Sequence, residues 1–83
     1  MRLKSKRKIQ ELKEGKFYFL VEYIFNRLQF WDIIVARNLL EVEDVFYNEL
    51  YTRDSKITKK ENLGVLGKRE IKNYIKEKIK ENE

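Results

Sequence analysis

Basic side chains gather near both ends of this chain, and they are the residues whose chemistry is easiest to interpret. Lys and Arg side chains neutralise phosphates, with an affinity that falls steeply with salt because condensed counterions are released. An Asn amide is also suited to contact a base edge. The sequence therefore predicts nucleic-acid binding. The predicted contact residues are Arg2, Lys4, Lys6, Arg7 and Lys8 at one end and Lys68, Arg69, Lys72, Asn73 and Lys76 at the other.

The charge distribution supports this prediction better than the net charge of +5 alone. Residues 1–16 contain seven basic and two acidic residues, 17–53 contain three and six, and 54–83 contain nine and six. A fold that brings the two ends to one side would create a positive face. A basic N-terminus is equally typical of a solvated, frayed end, and it can also contact an acidic membrane surface.

Residues 57–75 loosely resemble a helix-turn-helix motif. Thr58-Lys-Lys-Glu61 has the form of a capping box that opens a short helix ending near Gly64 or Gly67, and a second helix follows. If Gly67 is the turn glycine, Leu63 stands where a small residue is usual and Asn73 where an apolar residue is usual. The alternative interpretation is two ordinary packed helices.

Missing residue types exclude much catalytic and metal chemistry. The chain has no Cys and no His, so thiolate nucleophiles, imidazole bases and zinc ribbons are excluded. Glu41, Glu43 and Asp44 resemble a magnesium-binding group, but carboxylates in the first turns of a helix are favoured by its dipole and need no metal. We therefore expect no enzyme activity, no metal and no cofactor.

Length and composition indicate one folded domain. Of 83 residues, 42% are hydrophobic and 13% aromatic, enough for a core. The basic start resembles part of a secretory signal, but Glu11 and Glu14 follow it. No stretch approaches the roughly 20 apolar residues that span a bilayer. The expected location is therefore the cytoplasm, without a membrane span.

The absence of breakers favours an all-α fold of three to five helices. The chain has no Pro, and no Gly occurs from Lys16 to Leu63. A spacing of 4,3,4,3,4 predicts a helix over about 17–37, with Glu22, Asn26, Gln29 and Arg37 facing water. Two strands are the alternative, but the apolar residues do not alternate and no Gly-containing turn follows. The residues of the predicted seam, which would form the core or a dimer contact, are Phe17, Val21, Ile24, Leu28, Trp31 and Val35.

Other helices are predicted from caps and apolar periodicity. Asn38 and Glu41 form a capping box that opens a helix to about Arg53, unless one unbroken helix spans 17–53. A last helix is predicted over 68–80, and a short one over 3–14 ends at Gly15.

These elements divide the single domain into a basic arm (1–16), an apolar centre (17–53) and a basic helical region (54–83). We expect a small helical protein that binds DNA or another nucleic acid, in the manner of a transcription regulator, and forms a homodimer through its aromatic centre. The alternative is a helical protein–protein interaction module, an adaptor or inhibitor. The Lys- and Glu-rich composition is compatible with a thermophile or an AT-rich genome, including a viral or phage genome.

Overall fold

The chain folds around a four-stranded mixed β-sheet, and the all-α prediction is wrong. The computed structural model describes residues 2–50 and 54–81. The strands are β1 (Arg2–Lys4), β2 (Phe17–Phe25), β3 (Leu28–Ala36) and β4 (Lys56–Gly64), in the sheet order β1-β3-β2-β4. β1 is parallel to β3, whereas β2 is antiparallel to both β3 and β4.

A tight hairpin replaces the helix predicted over 17–37. Phe25 pairs with Leu28, and the two residues between them, Asn26 and Arg27, have φ angles of 52° and 65°. Two consecutive positive φ angles match the twist of the flanking strands in a two-residue hairpin. Asn tolerates this conformation, but Arg rarely adopts it. The turn nevertheless forms without a glycine, whose absence had favoured a helix over two strands.

The apolar residues of β2 and β3 do not alternate because both faces of the sheet are covered. Successive side chains in a strand point to opposite faces, so a strand buried on both faces is a continuous apolar run. Phe19 and Val21 lie on one face, whereas Tyr18 and Leu20 lie on the other, and all four are buried. Such a run also satisfies a helical spacing, which explains the wrong prediction.

Two helical elements follow one another over the first face, here called the α1 face. α1 (Leu39–Asp44) continues directly into a π-helical segment (Val45–Leu50). The Asn38 cap is confirmed, since its Oδ1 accepts a hydrogen bond from the Glu41 N–H at 2.9 Å. The predicted end of this helix near Arg53 lies outside the described residues. The core on the α1 face consists of Phe19, Val21, Tyr23, Ile34, Ala36, Val42, Val45 and Phe46.

Helix α2 (Lys68–Glu81) packs over the opposite face, the α2 face, and confirms the helix predicted over 68–80 to within one residue. Its first turn closes when the Ile71 N–H donates to the Gly67 carbonyl at 3.0 Å. Among the described residues, no helix is long and apolar enough to cross a membrane. The buried core residues of the α2 face are Tyr18, Leu20, Trp31, Ile33, Val35 and Ile71.

Two further predicted helices are strands or irregular segments. Residues 3–14 contain the end of β1 followed by a chain without helix up to the turn at Gly15, whose φ is 76°. The supposed capping box at Thr58–Glu61 lies within β4, where residues 59–61 pair with β2. Because its first helix is a strand, the helix-turn-helix interpretation is wrong. A Ser/Thr-x-x-Glu pattern also suits an exposed edge strand, where polar side chains face water.

The predicted apolar seam is divided between the two faces. Val21 is buried on the α1 face, whereas Trp31 and Val35 are buried on the α2 face. Phe17 and Ile24 are half-buried, and Leu28 is 51% exposed beside the hairpin turn. Since these residues do not form one stripe, the prediction of a single helical seam is wrong, although Val21, Trp31 and Val35 do belong to the core.

Candidate nucleic-acid interface

The outer surface of α2 carries most of the basic side chains predicted at the C-terminal end. All five predicted residues there are exposed, and they line one shallow depression of about 450 Å³. Residues four apart lie on the same side of a helix, so the spacing itself aligns the three lysines. We call this set the α2 basic surface: Lys68, Arg69, Lys72, Asn73 and Lys76.

The sequence positions this surface by burying the opposite side of α2. Ile71 is 4% exposed, while Tyr74 and Ile75 pack against the same core. Within residues 2–50 and 54–81, no carboxylate forms an ion pair with any of the four cations of the α2 basic surface. Their charge is therefore available to a polyanion.

The N-terminal cations divide into two groups, and the first two are held against the sheet. The Arg2 Nε lies 3.0 Å from the Glu22 Oε1, and the Lys4 Nζ lies 3.0 Å from the Asp32 Oδ1. Both carboxylate side chains are almost completely buried. The first function of Arg2 and Lys4 is therefore to compensate buried negative charge, which the sequence analysis did not foresee.

The remaining N-terminal cations, Lys6, Arg7 and Lys8, are exposed on the segment that follows β1. Ser5 anchors the start of this segment. Its N–H donates to the Trp31 carbonyl at 2.8 Å, and its Oγ accepts from the Arg7 N–H at 3.2 Å. These contacts hold the start of the segment beside the edge of β3, so it is attached to the fold and does not form a frayed end.

Apolar contacts bring this N-terminal segment next to α2. Ile9 and Leu12 pack on the core of the α2 face, to which Ile71 and Tyr18 also belong. A groove of about 600 Å³, here called the inter-segment groove, separates residues 9–12 from the N-terminal half of α2. Lys68 and Lys72 line both this groove and the α2 basic surface. Residues 9–12 therefore lie beside the N-terminal half of α2.

A buried carboxylate on β2, Glu22, is the main polar feature that sequence reasoning missed. It is 3% exposed, although the helical interpretation placed it in water. Its Oε1 accepts from Arg2, and its Oε2 lies 3.9 Å from the Nζ atoms of both Lys59 and Lys78. The cations come from β1, β4 and α2, so Glu22 links three elements electrostatically. Only the three-dimensional pairing of these strands identifies it.

An aromatic ring and a phenol complete the surroundings of Glu22. Trp31 is its direct cross-strand partner, and the Nζ atoms of Lys4 and Lys78 lie 5.5 and 5.6 Å from the centre of the Trp31 ring. Among the described residues, neither the Trp31 Nε1 nor the Glu22 Oε2 has a hydrogen-bond partner. Burial, followed by the negative charges of Glu61, Glu22 and Glu81, raises the pKa of Tyr74 above its usual 10.0.

The acidic group at the start of α1 has structural partners. Glu41 lies 3.4 Å from the Lys16 Nζ, and Glu43 accepts a hydrogen bond from the Lys60 Nζ at 2.7 Å. In the part of the chain that the structure describes, no cluster of three or more potential metal ligands occurs.

Comparison with protein-family models, with curated proteins and with solved structures finds no match for this chain.

Proposed function

We propose that this protein binds the sugar-phosphate backbone of nucleic acids. The contacts would come from the α2 basic surface and from the exposed cations of the N-terminal segment, Lys6, Arg7 and Lys8. The observation that carries the proposal is the adjacency of residues 9–12, which directly follow the exposed N-terminal cations, to the N-terminal half of α2. Ile9 and Leu12 pack in the same core as Ile71. Lys68 and Lys72 line the same groove as residues 9–12, the segment that directly follows Lys6, Arg7 and Lys8.

The balance of charge in this region favours a polyanionic partner. Lys68, Arg69, Lys72 and Lys76 have no acidic partner among the described side chains. Each cation that contacts a phosphate releases condensed counterions, so binding gains free energy at low salt and loses it as salt rises. Non-specific affinities of about 10⁻⁴ to 10⁻⁶ M near physiological salt are typical of such surfaces.

Asn73 is the residue of the α2 basic surface best suited to contact a base. It is exposed between Lys72 and Lys76 on the same side of the helix. An amide can both donate to and accept from a base edge, whereas the lysines position the backbone. A single amide gives little discrimination between sequences, so the proposed binding is largely independent of sequence.

The test is an electrophoretic mobility shift titration at low and moderate salt with duplex DNA, single-stranded DNA and RNA. Combined replacement of Lys68, Arg69 and Lys72 by Ala should weaken binding and reduce the salt slope by about one unit for each lost phosphate contact. A matched control, Arg27→Asn with Arg37→Ala and Lys56→Ala, removes the same charge elsewhere and should bind more tightly than the first variant. If no nucleic acid shifts at low salt, or if the two variants bind alike, the proposal is refuted.

A homodimer is part of the proposal, but at a different surface from the aromatic centre. Trp31 is fully buried within one chain, so its protection requires no second copy. Leu3, Phe25 and Leu28 are 42, 41 and 51% exposed on strands that meet beside the hairpin turn. We expect self-association there at micromolar concentration, abolished by Leu28→Lys. Sedimentation of the wild type as a monomer at that concentration would contradict it.

A further inference from the structure

We propose that the inter-segment groove accepts one unpaired base of a single-stranded nucleic acid. The inference rests on the proposed function, and it narrows the substrate class from any nucleic acid to strands that have unstacked bases. The groove lies between residues 9–12 and the N-terminal half of α2, because both pack on the same core. Its volume of about 600 Å³ lies within the range of small-molecule sites in proteins.

The floor of the inter-segment groove is apolar, which suits contact with the flat face of a nucleobase. The half-buried Leu12 and Leu66 supply accessible apolar surface to the groove, and Tyr18 and Ile71, each 4% exposed, close it below. Bases carry an apolar π-face and polar edges, and single-strand binding proteins exploit this with aromatic and apolar platforms. A stacked and paired base in a duplex exposes only its edges, so it cannot occupy such a site.

The two walls of the groove differ in charge. One wall carries cations that could contact a phosphate, and the other carries polar groups that could accept hydrogen bonds from a base. Lys68 and Lys72 form part of the α2 wall, and both also belong to the α2 basic surface. Glu11 and Gln10 lie on the opposite wall. A carboxylate repels phosphate but accepts a hydrogen bond from an exocyclic amino group, such as that of cytosine. The backbone would therefore follow the lysines, and the base would turn toward Glu11.

The test compares short oligodeoxycytidine with the same strand carrying abasic sites, which retains every phosphate but lacks bases. The abasic strand lacks the base that would contact the groove, so it should bind the wild type roughly tenfold more weakly. Leu66→Trp fills the groove and should remove this difference. Val65→Trp is the matched control, because Val65 is 68% exposed and lies outside the groove lining, so the difference should persist.

A second filling variant protects the test against a folding defect. Gln10 lies on the exposed N-terminal segment, so Gln10→Trp should fill the groove without disturbing the core. Circular dichroism and urea unfolding establish which variants are folded. If Leu66→Trp is unfolded, Gln10→Trp carries the comparison with Val65→Trp.

The possible results separate the two proposals. Equal, salt-sensitive binding of intact, abasic and duplex DNA would overturn the base site and leave the proposed function intact. Failure of every oligonucleotide to bind would overturn the proposed function itself. A third result would be that a polyglutamate peptide of equal charge binds as tightly as the oligonucleotide and that Leu66→Trp abolishes the binding of both. This result would assign the groove to an acidic protein segment and would also overturn the base site.

Discussion

The sequence predicted that the cations of β1 and those of α2 both contact nucleic acid, but the two groups lie in different physical environments. The Lys4 side chain is 17% exposed and pairs with the buried Asp32, whereas Lys72 is exposed and has no acidic partner among the described residues. A buried ion pair is costly to break because the remaining charge stays desolvated. An exposed cation contributes little to stability but remains available to a ligand.

The role of a basic residue in this protein therefore depends on its position in the fold. β1 is an edge strand whose side chains reach the buried carboxylates of β2 and β3. The outer side of α2 faces solvent, with no element packed over it among the described residues. We therefore expect substitutions at β1 to affect folding and substitutions on α2 to affect binding.

The largest effect on stability is expected for Lys4→Met. This change keeps most of the apolar stem but removes the ammonium that lies 3.0 Å from the Oδ1 of the buried Asp32, and the expected loss is about 3 kcal/mol in the free energy of unfolding. Lys8→Met, at an exposed position on the same segment, should change stability by less than about 0.5 kcal/mol. Urea unfolding followed by Trp31 fluorescence measures both. Equal stabilities would remove the distinction between the two groups of cations.

A smaller loss is expected for Glu22→Gln. The amide retains the size of the carboxylate but loses a charge-assisted contact with Arg2 and the attraction of Lys59 and Lys78, so the expected loss is about 1–3 kcal/mol. The same urea titration checks this, with Glu14→Gln at an exposed position on the N-terminal segment as the control for loss of one carboxylate. A more stable Glu22→Gln variant would show that the desolvation of Glu22 outweighs its ion pairs.

Tyr74 provides a test through pH. Its pKa is raised in the folded state by burial and by Glu61, Glu22 and Glu81, so the unfolded chain loses this proton at a lower pH than the folded protein. The contribution of Tyr74 to the free energy of unfolding is therefore fully present below pH 10.0, the pKa of this group in the unfolded chain. It is lost as the pH rises above that value. Tyr74→Phe should show a shallower alkaline loss than the wild type in urea unfolding at several pH values. Identical slopes would contradict the raised pKa.

The smallest change in stability is expected for Lys72→Ala, although its effect on binding should be clear. The residue is exposed, so the free energy of unfolding should change by less than about 0.5 kcal/mol. The salt slope of nucleic-acid binding should fall by about one unit. Lys56→Ala, on β4, is the matched control for binding. A marked loss of stability in Lys72→Ala would place this side chain with the structural cations of β1.

Local signals in the sequence predicted the elements that depend on local interactions. Asn38 caps α1 through a hydrogen bond to a residue three positions later, and α2 follows the apolar periodicity of Ile71, Tyr74 and Ile75. The basic side of α2 followed from the same periodicity. These predictions are confirmed because the interactions that determine them lie within one or two turns.

The sheet depends on information that the local pattern does not contain. A strand covered on both faces has apolar residues at helical spacings as well as strand spacings, and the only turn signal was Asn26 without a glycine. The aromatic and β-branched content of residues 17–25 was the better indicator. Asn26, Gln29 and Arg37 are exposed as predicted, but Glu22 is not, because its burial depends on cations from three separate elements.

β1 precedes β2 along the chain, yet its partner in the sheet, β3, follows β2. The β2–β3 hairpin closes through a two-residue turn and can form as soon as both strands are available. β1 must then be captured at the free edge of β3, across a much longer loop. We therefore expect β1 to join the sheet late in folding, after the β2–β3 hairpin. Until then, Glu22 and Asp32 lack Arg2 and Lys4, so the order of events delays the burial of both carboxylates.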